Sequence, residues 1–274
     1  MLPGLVIALL GPFLLLEPCH TLRLATFNIQ VLGKRKIEDD AVVSSLITIL
    51  SRYDVVFVQE IRDCKGTAFS RLVDGLSRET HSEFGYNVSR RLGRSSSQEQ
   101  YGVLYKLGLI EVIASYQDPD PTDKFQRPPY SLLIRMLGTK VEHTVVTNVH
   151  IEPKNAFSEM DALYDSVLKV KEMFKQPLLL LGDMNADCSY LSDKKKSELR
   201  LKADPDFRWL VPDDEDTTLG EKDCAYDRII VSGWDRDWYN ESSIRPYKFD
   251  QELDMDIEQA KKVSDHYPVE MEVH

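Results

Sequence analysis

Short apolar segments that alternate with amphipathic ones restrict the possible folds of this chain more than any other feature of its sequence. Segments beginning at Leu22 and Asp54 are typical of strands, and the segment beginning at Asp39 between them has apolar residues at helical spacing. From Tyr86 to Ile151, short strand-like segments follow one another between Gly or charged breaks, which indicates antiparallel pairing. The pattern predicts an α/β fold in which two sheets pack face to face with helices outside.

Two more segments are predicted to be helices, one beginning at Lys65 and one at Ser158, the second with the serine as its N-cap. The chain has 274 residues, 42% of them hydrophobic, with 13 Gly and 13 Pro. This is an ordinary globular composition, and no repeat of fixed period is visible. We therefore expect one domain with a sizeable core.

The N-terminal segment differs from the rest of the chain. Residues Leu2–Leu16 include no charged side chain, a length that is short for a membrane span and suits the apolar part of a secretory signal. Small residues predict cleavage before Leu22, which gives a signal peptide over 1–21 and a secreted domain over 22–274. An uncleaved anchor or a buried helix is the alternative. With no second apolar span, we expect no membrane anchor, and secretion would allow glycosylation of the sequons at Asn87 and Asn240.

The cysteines agree with this interpretation. If Cys19 leaves with the signal, Cys64, Cys188 and Cys224 remain of the four in the chain. Cys188 and Cys224 fall in loops that flank candidate strands and could form one disulfide in an oxidising compartment. Cys64 would then be a free, partly buried structural thiol.

The net charge of −11 is opposite to that of a passive nucleic-acid binder. A metal-dependent hydrolase is less affected, because bound cations invert the local field at its site. The charge therefore favours cation-assisted contact with a polyanion over tight storage binding.

Oxygen-bearing side chains stand where several predicted strands end. Such hard ligands suit Mg²⁺, Mn²⁺ or Ca²⁺ better than zinc. Taken singly, an Asp or Asn at these positions could equally cap a strand or form a turn. A role as a cap or turn former explains Glu60 less well. It follows the apolar run Val-Val-Phe-Val-Gln, where ionisation of its carboxyl group would be unfavourable without a cation or another partner. The residues concerned are Asn28, Glu60, Asp183, Asn185 and Asp265.

Two of the six histidines also lie beside strand segments, His150 at the end of TVVTNVHI and His266 within SDHYP. Phosphodiester hydrolysis needs a base that deprotonates water and an acid that protonates the leaving oxygen, and histidine can do either near neutral pH. Each would need a carboxylate to orient it. Either histidine alone could instead be a surface or structural residue.

Several of these segments resemble the deoxyribonuclease I family. The resemblance runs from about Leu22 to the C-terminus, and the order of three motifs separates it from exonuclease III-like endonucleases, inositol phosphatases and sphingomyelinases. The clearest segments are LRLATFNIQ, ILSRYDVVFVQEIRD, LGRSSSQEQYGVLYK, EMDALYDSVL, LLLLGDMNADCSYL, DEDTT, CAYDRIIVSG and SDHYPVEMEV. The resemblance implies a DNase I-like four-layer α/β sandwich. It also implies a monomeric endonuclease that cuts DNA to 5′-phosphate ends with catalytic Mg²⁺ or Mn²⁺ and structural Ca²⁺.

The family roles transfer to residues of this chain. His150 and His266 match the acid–base pair, Glu99 matches the carboxylate that orients the first, and Asp227 matches the one that orients the second. Glu60 matches the principal metal ligand. The remaining matches imply metal and phosphate contacts by Asn28, Asp183, Asn185 and Asp265, a calcium loop with Asp216 and Thr218, substrate contacts by Arg62, Arg127 and Tyr190, and a Cys188–Cys224 disulfide.

Some positions depart from the family pattern. Ile151 and Glu152 follow the first histidine in place of small residues, so water access or phosphate binding could change. Ser97 replaces a tyrosine that stacks in the minor groove. An acidic loop, with Asp118 and Asp123, lacks the family's second disulfide and a calcium carboxylate, which is Pro128 here. Arg90 reverses a charge on the actin-binding surface of some members, which makes actin binding doubtful. The rival functions are hydrolysis of another phosphate ester and binding without catalysis.

Overall fold

Two six-stranded β-sheets form the centre of the structure, a computed structural model that describes residues 21–274. The signal segment predicted for 1–21 lies outside the described residues except for Thr21. The strands are β1 (Leu22–Leu32), β2 (Val55–Ile61), β3 (Phe84–Val88), β4 (Gln100–Lys106), β5 (Ile110–Gln117), β6 (Tyr130–Met136), β7 (His143–His150), β8 (Leu178–Asp183), β9 (Arg208–Trp209), β10 (Asp227–Ser232), β11 (Tyr239–Pro246) and β12 (Val269–Val273).

Helices cover the outer faces of both sheets. Among the described residues they are α1 (Lys34–Ile37), α2 (Asp40–Leu50), α3 (Ala68–Thr80), α4 (Ala156–Phe174), α5 (Asp193–Ser197), α6 (Arg200–Ala203), α7 (Phe249–Glu252) and α8 (Ile257–Val263). None of the helices within residues 21–274 has both the length and the hydropathy that crossing a bilayer requires.

The strand order is β11-β12-β1-β2-β4-β3 in the first sheet and β5-β6-β7-β8-β10-β9 in the second. Within each sheet one central pair is parallel, β1 with β2 and β7 with β8. The predicted antiparallel pairing is present in β3–β4 and in β5–β6–β7. However, β4 and β5 are consecutive in the chain yet belong to different sheets, because the connection between them crosses from one sheet to the other.

Three apolar layers hold these elements together, and they confirm the predicted four-layer sandwich. One lies between the sheets, where Phe57 and Val103 of the first sheet meet Ile134 and Leu181 of the second. Another packs the first sheet against α2 and α3, and the third packs the second sheet against α4. Ile151, 1% exposed, belongs to this third layer.

Two helix starts differ from prediction. The helix predicted from Ser158 begins at Ala156, so the expected serine cap is wrong; Ser158 Oγ instead donates to the carbonyl of Asn155 within the first turn. The helix predicted from Lys65 begins at Ala68. Its start is delayed because the Asp63 carboxylate accepts the N–H groups of Lys65 and Ala68 and folds the connecting segment into a turn. By contrast, α2 begins at Asp40, one residue after the predicted start at Asp39, which is its N-cap.

The cysteines are placed partly as expected. Cys188 and Cys224 form a disulfide, with Cα atoms 5.8 Å apart. Cys64 is free, but it is exposed and not partly buried as predicted, because it lies in the surface turn after β2.

The two sequons lie on the two edge strands of the first sheet. Asn87 is on β3, where its Oδ1 accepts a hydrogen bond from the Tyr130 hydroxyl. Asn240 is on β11, where its Nδ2 donates to Glu272. Their glycosylation stays a prediction.

Candidate active site

Strand order brings the predicted site residues to one edge of the sandwich. In the second sheet, His150 ends β7, Asp183 ends the parallel β8, and Asp227 begins the antiparallel β10; the register pairs Asp183 with both neighbours. In the first sheet, Asn28 and Glu60 lie near the ends of the parallel strands β1 and β2. Because the two sheets stack face to face, these strand ends form opposite walls of one cleft.

His150 is held by Glu99 from the segment between β3 and β4. Its Nδ1 lies 2.6 Å from Glu99 Oε1, and both side chains are buried. Burial alone would raise the pKa of Glu99, but His150 and the guanidinium groups of Arg127 and Arg62 hold it at about 2. In turn, burial would lower the pKa of His150, and Glu99 and Asp183 raise it above the ordinary value. Glu99 is therefore an ionised carboxylate that fixes the orientation of this imidazole.

The second histidine has an equivalent partner. His266 Nδ1 lies 2.7 Å from Oδ2 of the fully buried Asp227, whose same oxygen lies 2.9 Å from the Thr217 hydroxyl. Burial would lower the pKa of His266, but Asp227, Asp183 and Asp265 raise it to about 10. These carboxylates therefore favour the protonated form of the imidazole.

Asp183 lies between the two imidazoles. His150 Nε2 is 3.4 Å and His266 Nε2 is 3.6 Å from the same oxygen, Asp183 Oδ2. Since a carboxylate engages each Nδ1, only the two Nε2 atoms are free for proton exchange, and they converge on one point. Two imidazoles in this arrangement can exchange protons with a group placed between them.

An oxygen-rich cluster adjoins this point. Asn28 Nδ2 donates to Asp183 Oδ2 at 3.0 Å and lies 3.3 Å from Glu60 Oε1, so the amide bridges two carboxylates. Glu60 has a left-handed backbone (φ 64°), which is costly for a residue with a side chain and points to a functional constraint. The donor set fits a hard divalent cation such as Mg²⁺, which needs only one or two protein carboxylates.

Asp265 lies farther out. Its side chain is 49% exposed, and its Oδ1 is 4.0 Å from His266 Nε2. It therefore lies at the rim of the cleft, where it adds negative charge near the oxygen-rich cluster.

The predicted substrate residues occupy different depths. Tyr190 is exposed and its ring stacks on Tyr226 with the centroids 5.2 Å apart. Asn185 is buried and its Nδ2 donates to the Ile151 carbonyl. Arg62 is half-buried and its Nη2 lies 3.2 Å from both Glu60 and Glu99.

Arg127 is buried behind His150 and Glu99. Only 8% of it is exposed, and its Nε donates to the His150 carbonyl and lies 3.4 Å from Glu99. Its buried Nη2 has no hydrogen-bond partner within residues 21–274. A contact of Arg127 with substrate, at a phosphate or in the minor groove, stays a prediction.

The unusual neighbours of His150 can now be placed. Ile151 points into the apolar layer beneath the second sheet, so the expected change in water access does not come from its side chain. Glu152 Oε2 lies 3.9 Å from Arg127 Nη1, and the cation offsets part of its charge. Ser97 is exposed and its Oγ lies 3.4 Å from Arg62 Nη1.

The carboxylates of the two candidate calcium loops have different partners. Asp216 Oδ1 accepts from the N–H of Thr218 and of Cys224, and Thr218 forms a β-bridge with His266. In the other loop, Asp118 accepts from the Ser166 hydroxyl and Asp123 pairs with Arg94 at 2.9 Å. Of these three carboxylates, Asp123 alone is in an ion pair, and Arg94 would compete with calcium there.

Four residues of the site were not predicted from the sequence. Tyr226 lines the cleft, and its position directly before Asp227 in CAYDRI was an available signal. Tyr101 accepts from the His150 N–H, and Thr217 contacts Asp227. Lys261 also lines the cleft, and no motif marks it. The cleft is open and encloses about 530 Å³.

This chain is similar to known proteins in sequence and in structure. The profile of the endonuclease/exonuclease/phosphatase family matches residues 25–266. Deoxyribonuclease-1-like 2 of Mus musculus is 38% identical over 256 residues, 91% of each chain. Deoxyribonuclease-1 of Homo sapiens is 38% identical over 271 residues, 96% of each chain.

Solved structures share the fold at low sequence identity. Humanized D. rerio TDP2 superposes with a TM-score of 0.64 at 14% identity, over 93% of this chain and 99% of that one. The human Nocturnin catalytic domain superposes with a TM-score of 0.60 at 13% identity, over 93% of this chain and 94% of that one.

Proposed function

The chain belongs to the endonuclease/exonuclease/phosphatase family and, within it, to the deoxyribonuclease I family, and on this basis we propose a secreted, divalent-metal-dependent endonuclease that hydrolyses DNA to 5′-phosphate ends. The observation that carries the proposal is the convergence of His150 Nε2 and His266 Nε2 on one point, each imidazole fixed by its own buried carboxylate. The names of the curated relatives support DNA as the substrate.

The proton balance of the reaction requires both histidines. Water attacks phosphorus, the bond from phosphorus to the 3′ oxygen breaks, and the products are a 5′-phosphate and a 3′-hydroxyl. One Nε2 accepts the proton of the attacking water and the other donates a proton to the leaving oxygen, so the two imidazoles must start in opposite protonation states. Glu99 and Asp227 keep both Nδ1 atoms out of this exchange.

A cation would change the proton affinity of the pair. Bound by Glu60, Asn28 and Asp183, it would supply positive charge that offsets the charge of the phosphate. Asp183 raises the pKa of both histidines. The positive charge of the cation would cancel part of this effect and so lower the pKa of each imidazole. The residues thus couple the protonation of the pair to metal binding.

Secretion is supported by the Cys188–Cys224 disulfide, because such bonds persist in oxidising compartments. Expression in animal cells should release the protein into the medium with Leu22 as its first residue. Retention of the protein in the membrane fraction with residues 1–21 attached would contradict this part of the proposal.

A plasmid-nicking assay with Mg²⁺ and Ca²⁺ tests the catalytic part. His150→Ala and His266→Ala should each lower nicking by at least about a hundredfold. His143→Ala is the matched control, since His143 begins the same strand that His150 ends. Nicking by either active-site variant at the wild-type rate would disprove the acid–base pair. An inactive wild type would leave binding without catalysis, or another phosphate ester, as the function.

A further inference from the structure

A group of unpaired cations lies on one side of the cleft. We propose that Arg35, Lys261 and Lys262, here called the basic track, bind backbone phosphates of DNA beyond the scissile one. This inference rests on the proposed function and names the path along which the substrate leaves the cleft. It would set how firmly a long duplex is held.

The three side chains lie along one continuous surface. Lys261 lines the catalytic cleft together with His266 and Gln30. Lys262 and Arg35 line an adjacent groove of about 350 Å³, and Gln30 forms part of its wall too. Since Gln30 belongs to both concavities, a strand that passes the histidines can continue into the groove without leaving the surface.

Local structure explains why these cations come together. Lys261 and Lys262 are in the last turn of α8, and successive helical residues point about 100° apart, so one side chain reaches the cleft and the other reaches the groove. Arg35 is in α1.

Lys36 fixes the two helices to each other. Its Nζ donates to the carbonyls of Ile29, Gln30 and Val263, so it joins the end of β1 to the end of α8. Because the ammonium group of Lys36 donates to these backbone carbonyls, we assign Lys36 a structural role beneath the basic track and not a role in binding phosphate.

The charges of the track are free for a ligand. Across residues 21–274, no carboxylate lies within 4.0 Å of the charged nitrogens of Arg35, Lys261 or Lys262, and all three residues are exposed. The neighbouring cation Lys34 differs, since it pairs with Glu38. Asp39 lines the groove, but its carboxylate already accepts the first N–H groups of α2.

The overall charge makes this arrangement significant. With 45 acidic and 34 basic residues, the chain as a whole repels a polyanion, so contact with DNA depends on local groups of cations. The three unpaired cations extend outward along the surface from the neighbourhood of His266. A DNA strand bound at His266 would therefore continue over them. Phosphate contacts of this kind position a nucleic acid and make binding salt-dependent without reading its sequence.

The test compares two variants of equal charge change. The first is Arg35→Gln/Lys261→Gln/Lys262→Gln. The second, the control, is Lys169→Gln/Lys175→Gln/Arg236→Gln. Its three cations are also exposed but lie toward the opposite end of the sheets, where α4 ends and β11 begins. Thermal unfolding of both variants checks that the fold is retained.

Kinetics on a duplex of about 30 base pairs would be measured from 50 to 300 mM salt. The track variant should have a KM at least about tenfold higher than that of the wild type at 150 mM salt. The slope of log kcat/KM against log salt should become less steep by up to about three, roughly one unit per lost phosphate contact. The double variant Arg35→Gln/Lys262→Gln leaves the lining of the catalytic cleft unchanged and should keep most of its activity on bis(4-nitrophenyl) phosphate, which cannot span the track. The control variant should keep the wild-type salt slope.

The outcomes separate the two proposals. If the wild type does not cut DNA, the proposed function is wrong, and anisotropy of the labelled duplex in Ca²⁺ then tests the track through binding alone. If the wild type cuts DNA but the track variant keeps its KM and salt slope, the track is wrong and the proposed function stands. Equal losses for the track and control variants would also overturn the track, because the effect would then be one of net charge.

Discussion

Glu99 Oε1 lies 2.6 Å from Nδ1 of His150, and both groups are buried within the sandwich although 51 positions separate them in the chain. An ionised carboxylate buried there is stable only with its cationic and hydrogen-bonding partners present. The contact thus links the stability of the fold to the orientation of a residue that we place in the reaction.

Glu99→Gln should make stability less sensitive to acid. The pKa of Glu99 falls from 4.5 to about 2 in the folded state because His150, Arg127 and Arg62 oppose the effect of burial. A depressed pKa contributes stability above pH 4.5 that is lost as the pH falls toward 2, here about 3 kcal/mol. Urea unfolding should show wild type more stable than the variant at pH 7, with the difference shrinking by pH 2.5. A constant difference at both pH values would refute this assignment, and Glu142→Gln, an exposed carboxylate, serves as control.

Thr217→Val should lower DNA cleavage by about ten- to a hundredfold with the fold retained, because the hydroxyl 2.9 Å from Asp227 Oδ2 helps orient the carboxylate behind His266. Thr144→Val is the matched control, a buried threonine in β7 whose hydroxyl donates to the Pro177 carbonyl far from the cleft. Both variants should lose about 1 to 2 kcal/mol of stability. If both retain full activity, Thr217 is only structural.

Calcium should stabilise the chain through the loop that contains Asp216 and Thr218. Binding of Ca²⁺ to the folded state alone adds about 2.7 kcal/mol at a hundred times its Kd, so the melting temperature should rise with added calcium. Asp216→Ala should abolish most of this rise, and Asp123→Ala should keep it, because Asp123 already pairs with Arg94. The reverse pattern would move the site to the other acidic loop.

Lys196→Met should destabilise the protein by about 3 to 5 kcal/mol. Lys196 is 1% exposed, and its Nζ lies 2.9 Å from Asp187 and 3.4 Å from Asp213. Removal of Lys196 leaves the carboxylate of Asp187, which is 8% exposed, buried without its cation. Lys194→Met, in the same helix but with an exposed side chain, should be nearly neutral in urea unfolding. Similar stabilities for the two variants would show that the buried network contributes little.

Much of the site follows from features that a sequence displays directly. His150 and Asp183 end adjacent parallel strands, and the carboxyl ends of such strands must share an edge. Glu99 could be assigned only through family resemblance, because its position depends on an isolated bridge between Leu92 and Glu99 that no local pattern specifies.

Burial and facing of single side chains were the least predictable properties. The resemblance gives Arg127 as a substrate contact without indicating its depth; most arginines are exposed, but Glu99 and the His150 carbonyl hold this one inside. Whether Lys261 faces the cleft depends on how α8 is docked, which Lys36 determines from another part of the chain.

The positions of the two sequons have a consequence for solubility. Asn87 and Asn240 lie on the outermost strands at opposite edges of one sheet, where unpaired backbone groups can recruit a strand from another molecule. A sugar on each would obstruct that approach from both sides. Loss of both glycans should therefore appear first as self-association of chains that still cut DNA, and only later as a loss of cutting.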